Sequence, residues 1–197
     1  MGMNRRRRIG ILGGTFNPIH IGHLAIAQVV QEKCDLDKVI FVPSFLPPHK
    51  KIPDLASAQD RFAMVQLSIK DNPRFAVSDF EIKREGKSYS IDTVRYFQET
   101  LPAGTKLFFI IGEDSAAELE TWREITALLK AATFIVVNRP GHSQQSTKMK
   151  HLTVTMPGID VSSSYIRRQV KLGESINYLV PRGVFRYIEK HHLYGSH

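Results

Sequence analysis

Apolar residues along this chain fall into short continuous runs, separated by stretches where they recur every three or four positions. RIGILGG (Arg8–Gly14) barely alternates between apolar and polar, which predicts a strand buried on both faces. From about His20, Leu24, Ala27, Val30 and Cys34 recur at helical spacing. KVIFVP (Lys38–Pro43) reads as a second strand, and the proline-rich SFLPPHKKIPD (Ser44–Asp54) as an ordered loop. Ser57 then opens a helix with Asp60 as its capping partner and Phe62, Val65 and Ile69 on one face.

RFAVSDFEI (Arg74–Ile82) predicts a third strand, and SIDTVRYFQETL (Ser90–Leu101) a helix stopped by Pro102. KLFFIIG (Lys106–Gly112), TFIVVN (Thr133–Asn138) and LTVTM (Leu152–Met156) are further strands, with a helical stretch around Trp122–Leu129. The end is helical twice, over Ser164–Lys171 and Val184–His192. Strands alternating with helices imply a parallel sheet covered on both sides, an open doubly wound α/β fold in a single domain spanning 1–197. Residues 1–7 read as a flexible basic tail, and PGHSQQSTKMK (Pro140–Lys150) as a mobile surface loop. In such sheets ligands bind beyond the carboxyl ends of the strands. That rule singles out GGTFNPIHIGH, PSFLPPHK, GEDS and RPG.

Composition narrows the setting. Hydrophobic residues make up 42% of the 197 and charged residues 23%, as in ordinary globular proteins. No run approaches the roughly 18 uncharged apolar residues of a membrane helix, and the N-terminus lacks the apolar segment of a secretory signal. Cys34 is the only cysteine, which excludes an internal disulfide and favours the cytoplasm. It lies on an apolar helix side and reads as a small buried hydrophobe. A net charge of +8 favours an anionic partner, although Arg5 to Arg8 supply four of those charges and read as a solvated tail.

The richest junction is GGTFNPIHIGH (Gly13–His23). Gly13 and Gly14 let the backbone turn sharply and approach a ligand. The helix that follows offers free N–H groups and the positive end of its dipole, a seat for phosphate. His20 and His23, three residues apart, share one face of its first turn. Neither G-x-G-x-x-G nor the P-loop pattern is present, and no third ligand completes a zinc site. In VSSSYIRRQ (Val161–Gln169), helix capping accounts for one hydroxyl of Ser162–Ser164. Three hydroxyls with Arg167 and Arg168 suit a polyphosphate.

H-x-G-H after a GGTF strand end, with a later S-S-S-x-I-R, resembles the nucleotidyltransferase superfamily and its (H/T)-x-G-H and I-S-S-T-x-I-R signatures. Within it, GGTFNPIHIGH, VPSFLPPHK, REGKSYSIDT, FFIIGED, the tryptophan of LETWREI and VSSSYIRRQV resemble, in order through most of the chain, the bacterial nicotinate-nucleotide adenylyltransferases. Asn17 stands where that family more often has aspartate, and Ser90 and Ser164 where threonine is common. Glu113 is larger and more acidic than the small residue often seen at its position.

The resemblance implies a Rossmann-like fold and transfer of the adenylyl group of ATP to nicotinate mononucleotide in NAD biosynthesis. His20, His23 and Arg167 would be catalytic. Gly13, Gly14, Thr15, Phe16, Lys50, Gly112, Asp114, Ser162 and Ser164 would bind ATP. Ser88, Tyr89, Ser90 and Trp122 would hold the nicotinate mononucleotide. Magnesium would arrive as the ATP chelate, with no metal held by the protein itself. The implied partners are those two small molecules, without nucleic acid or membrane, and a homo-oligomer stays open. The rivals are a sister nucleotidyltransferase with another phosphorylated acceptor and, from the basic charge, a nucleic-acid-binding protein. The latter lacks an RNP pattern, zinc-finger spacing or a basic stripe with aromatics.

Overall fold

A computed structural model describes residues 5–47, 54–138 and 150–195. Lys50 and all of 140–150 except Lys150 lie outside the described residues. The chain runs β1 (Arg8–Gly14), α1 (Ile21–Lys33), β2 (Lys38–Pro43), α2 (Ala58–Ile69), β3 (Phe75–Val77), α3 (Phe80–Arg84) and α4 (Ser90–Thr100). It continues through β4 (Lys106–Gly112), α5 (Glu113–Ala117), α6 (Ile125–Ala131), β5 (Thr133–Asn138), β6 (His151–Thr155), α7 (Ser163–Lys171) and α8 (Arg182–Lys190). Every strand pairing is parallel, in the order β3-β2-β1-β4-β5-β6. The doubly wound α/β fold read from the sequence is the fold observed.

Side chains of successive strand residues fall on opposite faces, so each run feeds two cores. Leu12, Phe41, Phe108, Ile110 and Ile135 pack with α1, α2, α7 and α8 on one side. Ile11, Ile40, Phe109, Ile111 and Phe134 pack with α4 and α6 on the other. Gly10 takes its place in the first core because space is short: a Cβ there would lie 2.8 Å from Leu36 Cδ1.

Several sequence readings shift, among them the last strand, which is His151–Thr155, and the last helix, which is Arg182–Lys190. The third strand covers only Phe75–Val77, at the sheet edge. Beyond it, the Ser78 N–H still donates to Phe41 O at 2.9 Å, and then the chain turns into α3. GEDS opens the short helix α5. The stretch from Trp122 splits into a 3₁₀ turn (Leu119–Thr121) and α6, with Trp122 between them. On α2, Arg61 rather than Phe62 is fully interior, 1% exposed. Its guanidinium donates to the carbonyls of Ala56, Thr15, Ser44 and Phe45 at 2.7–3.1 Å, which offsets part of the penalty for burying a charge, although burial still lowers its pKa.

Candidate active site

The strand order reverses between β1 and β4, so their carboxyl ends open a crevice, the position where ligands bind in such sheets. A cavity of about 600 Å³ occupies it. It brings together Gly13, Gly14, Thr15, His20, His23, Gly112, Asp114 and Ser162, and also Ser88, Ser90 and Trp122. Residues far apart in sequence therefore meet as the two quoted motifs require.

At the β1–α1 junction, His20 is the N-cap residue of α1 and is buried, 5% exposed. The His20 N–H donates to Nδ1 of His23 at 3.3 Å, and the two rings lie 3.8 Å apart. With Nδ1 of His23 as an acceptor, Nε2 is the ring nitrogen available to donate. Gly22 makes this packing possible: a Cβ there would meet Nδ1 of His20 at 3.0 Å. Phe16 is core rather than cavity wall, with its ring edge-on to His23 at 5.1 Å and its φ at 49°. A Cβ on Gly14 would press on that same ring at 3.0 Å. Phe16, packed on Gly14 at the end of β1, thus forms a close-packed support beside His23.

The three serines of α7 divide their work. Ser162 caps the helix, accepting from the Tyr165 N–H at 3.2 Å, and lines the cavity. Ser163 donates to Pro18 O at 2.8 Å, tying α7 to the loop after β1. Ser164 is exposed and bonds Ser162 Oγ at 3.1 Å. Arg167 is not on the cavity wall: it donates to Asn17 O at 2.9 Å, bracing the loop from behind, while its buried Nε has no hydrogen-bond partner among the described residues.

Asn17 is 2% exposed, and its amide group meets three partners. Nδ2 donates to Asp54 O at 3.0 Å, and Oδ1 accepts from the Ala56 N–H at 3.0 Å and from Tyr194 Oη at 2.8 Å. An aspartate would lack the first of these bonds.

Beyond β4, Gly112 is open, with no atom within 4 Å of a Cβ placed there. Asp114 reaches the cavity from the first turn of α5. Glu113 does not line the cavity and so does not crowd it. Trp122 stands at the cavity wall, edge-on to Phe109 and Phe134 at 6.0 and 6.4 Å. Tyr89 caps α4 outside the cavity, with the Arg123 guanidinium 4.8 Å from its ring centroid. The buried Ser88 accepts from the Phe45 N–H at 3.0 Å, and Ser90 begins α4.

Sequence reasoning missed Ser44, Glu81 and Thr93 on the same wall. Ser44 directly follows β2, where the strand-end rule points, and its buried Oγ has no partner among the described residues. Glu81 and Thr93 carried no such signal. Thr93 Oγ1 donates to Glu81, Ser88 also bonds it, and burial pushes the Glu81 carboxyl above the ordinary glutamate range. Among the described residues, no group of three histidine, cysteine or carboxylate side chains is placed to hold a metal ion, and no helix is long and apolar enough to cross a membrane.

Chemically, the amino ends of α1, α7 and α4 converge on one cavity and supply N–H groups and positive dipole ends to an anion. Comparison with known proteins agrees with that geometry. Residues 11–169 match the family model described as cytidylyltransferase-like. The chain is 44% identical over 189 residues, covering 96% of itself and 97% of the relative, to the "Probable nicotinate-nucleotide adenylyltransferase" of Oceanobacillus iheyensis. To the protein of the same name from Thermus thermophilus it is 43% identical, covering 95% of itself and 99% of the relative. The fold is shared with the Plasmodium falciparum nicotinic acid mononucleotide adenylyltransferase complexed with NaAD, at a TM-score of 0.80 and 20% identity over 98% of this chain and 99% of that one. The chain belongs to the cytidylyltransferase-like family, among the nicotinate-nucleotide adenylyltransferases.

Proposed function

We propose that this chain transfers the adenylyl group of ATP to nicotinate mononucleotide, forming nicotinate adenine dinucleotide and pyrophosphate in NAD biosynthesis. The observation that carries the reading is the meeting of His20, His23 and the capped start of α7 across one cavity from Ser88, Ser90 and Trp122. One end suits a polyphosphate and the other a flat ring bearing a carboxylate.

In this reaction an oxygen of the mononucleotide phosphate attacks the α-phosphorus of ATP. The bond from that phosphorus to the bridging oxygen breaks, and pyrophosphate leaves with the electron pair. The nucleophile is already an anion at neutral pH, so alignment and charge neutralisation supply the rate. The main chain of Gly13, Gly14, Thr15 and Phe16 approaches the phosphates. His23 donates through Nε2, and His20 faces the same charge from the helix cap. Ser162, with Ser164 beside it, receives the triphosphate from the opposite helix. Arg167 contributes by holding the Asn17 loop and by its positive charge behind it. Gly112 admits the nucleotide, and Asp114 accepts from a ribose hydroxyl. Magnesium enters bound to the triphosphate, as it readily uses substrate oxygens.

Trp122 offers its ring to the pyridine, with Tyr89 supporting the neighbouring α4 start. The N–H groups at Ser88–Ser90 receive the nicotinate carboxylate. Donors built for that carboxylate are left unpaired against the amide, so discrimination is large. A lone buried cysteine and the bacterial relatives favour action in the cytoplasm.

The test is pyrophosphate release from ATP with nicotinate mononucleotide, nicotinamide mononucleotide, phosphopantetheine and glycerol phosphate as acceptors. Nicotinate mononucleotide is expected to give the highest kcat/KM. Equal values for the two mononucleotides overturn the acid preference, and release only with another acceptor overturns the assignment.

A further inference from the structure

A further concavity lies on another side of the sheet. A cavity of about 910 Å³ lies between the start of β1 and β4, the C-terminal end of α1 and the edge strand β6, and shares no lining residue with the candidate active site. It meets β1 at Arg8, whereas the active site begins at Leu12 on the same strand and continues through Gly14. Five of its lining side chains are cationic, Arg5, Arg6, Arg8, Lys33 and Lys106, against one acid, Asp35.

The structure holds these cations in place rather than leaving them as a loose tail. Arg5 pairs with Asp35 and, at 2.6 Å, with Asp37. The Lys106 N–H donates to Arg7 O at 2.7 Å, and the Arg8 N–H to Asp37 Oδ2 at 2.7 Å, which fixes the chain immediately after Arg6, while the Arg5 ion pairs hold it before. The Arg8 guanidinium donates to Cys34 O at 2.9 Å and sits 4.5 Å from the Phe108 ring centroid. Lys33 donates to Thr155 O at 2.7 Å across the cavity. The one lining acid is therefore already matched by Arg5. The exposed side chains of Arg6 and Lys106 make no hydrogen bond or ion pair among the described residues.

Like charges gathered in a concavity repel one another and raise the local concentration of anions. A second cavity of about 510 Å³ continues the feature: it shares Lys106 and Leu152 with the first and adds Lys130, Lys150 and His151. Spaced cations along a continuous hollow match a row of charges better than a single ion. Guanidinium and ammonium groups together favour phosphate oxygens. Among the described residues no Phe, Tyr or Trp lines either cavity, which leaves His151 as the one ring on which a base could stack and disfavours single-stranded nucleic acid.

We propose that this cavity is a second anion site that binds an oligophosphate, either a free inorganic chain or the phosphate tail of a nucleotide. The test is an amide nitrogen–proton spectrum of the full chain, titrated separately with inorganic tripolyphosphate and with ATP. Amides of Lys33–Asp35 and Thr153–Thr155 are expected to shift and saturate, apart from any change at Gly13–His23. The double variant Arg6→Ala/Lys106→Ala is expected to weaken that response at least tenfold, with the rest of its spectrum unchanged. A lower saturating concentration for tripolyphosphate identifies the inorganic chain as the ligand, and a lower one for ATP identifies the nucleotide tail. Shifts confined to the active-site amides, shifts that survive the double variant, or oligothymidylate moving the same amides at tenfold lower concentration each overturn the proposal.

Discussion

Tyr194 Oη donates to Asn17 Oδ1 at 2.8 Å, joining the last described turn of the chain to the loop that follows β1. Both residues are buried, and Asn17 O also receives Arg167. Tyr194 and Arg167 thereby brace the loop between β1 and α1. Burial pushes the Tyr194 hydroxyl well above the ordinary tyrosine range, so it remains a donor at any working pH. Tyr194→Phe removes one bond while leaving the Ala56 N–H on Asn17, and is expected to cost about 1 kcal/mol. In a chain of this size that lowers Tm by about 2–4 °C. Asn17→Ala strands the hydroxyl, the Ala56 N–H and the Asp54 carbonyl together, and is expected to cost several times more. Thermal denaturation of the two variants checks the order, and equal losses contradict it.

His20 and His23 are each expected to lower kcat about a hundredfold when changed to alanine, the scale of losing a preorganised donor. Gly22→Ala is the sharper probe, because its Cβ would meet the His20 ring at 3.0–3.1 Å without removing any functional group. The ring must yield by a few tenths of an ångström, and since a misplacement of about 1 Å costs on the order of a hundredfold in rate, a smaller loss is expected here. Gly22→Ala is therefore expected to lose kcat while its Tm stays near that of the parent. Steady-state kinetics beside a melting curve decide it, and full turnover shows that the ring position is immaterial.

Trp122 is shared between core and cavity, so its removal has two separable effects. Trp122→Ala is expected to raise KM for nicotinate mononucleotide tenfold or more with little change in KM for ATP, and also to lower Tm through lost contact with Phe109 and Phe134. Trp122→Phe keeps an aromatic face and is expected to recover most of the KM. A defect confined to ATP contradicts stacking on the pyridine.

The strands and the two motifs that meet at the cavity were legible because each is a local signal. RIGILGG, KVIFVP, KLFFIIG and TFIVVN have the bounds read from their apolar runs. Glycines ending β1 and hydroxyls at the start of α7 announce the helix starts through backbone chemistry alone. What escaped depends on distant partners. Nothing local marks Arg61 as interior; it is buried because the carbonyls of Thr15, Ser44 and Phe45 are brought around it. RFAVSDFEI has a strand's composition throughout, but β3 is an edge strand pairing only with β2, and the chain leaves it at Ser78. Glu81 consequently moves from an expected strand to a helix facing the cavity. Arg167 was placed on the correct helix, yet the carbonyl of Asn17, 150 residues away, takes its guanidinium behind the loop.

Glu81 makes the pH dependence of stability specific. Its carboxyl is 6% exposed, accepts from Thr93 and Ser88, and has Arg84 and Asp92 as charged neighbours. Burial is the largest influence and raises its folded pKa above the ordinary value of 4.5. A carboxyl with a raised folded pKa contributes most when protonated, so its contribution is complete below the unfolded pKa and declines as pH rises towards the folded one. Glu81→Gln holds the neutral shape at every pH. The Tm of Glu81→Gln minus that of the parent is therefore expected to be near constant below pH 4.5, to grow as pH rises above it, and to level off once the folded carboxyl has ionised. Melting curves from about pH 4 to 8 measure this difference, and a flat difference across the range contradicts a buried carboxyl that resists ionisation.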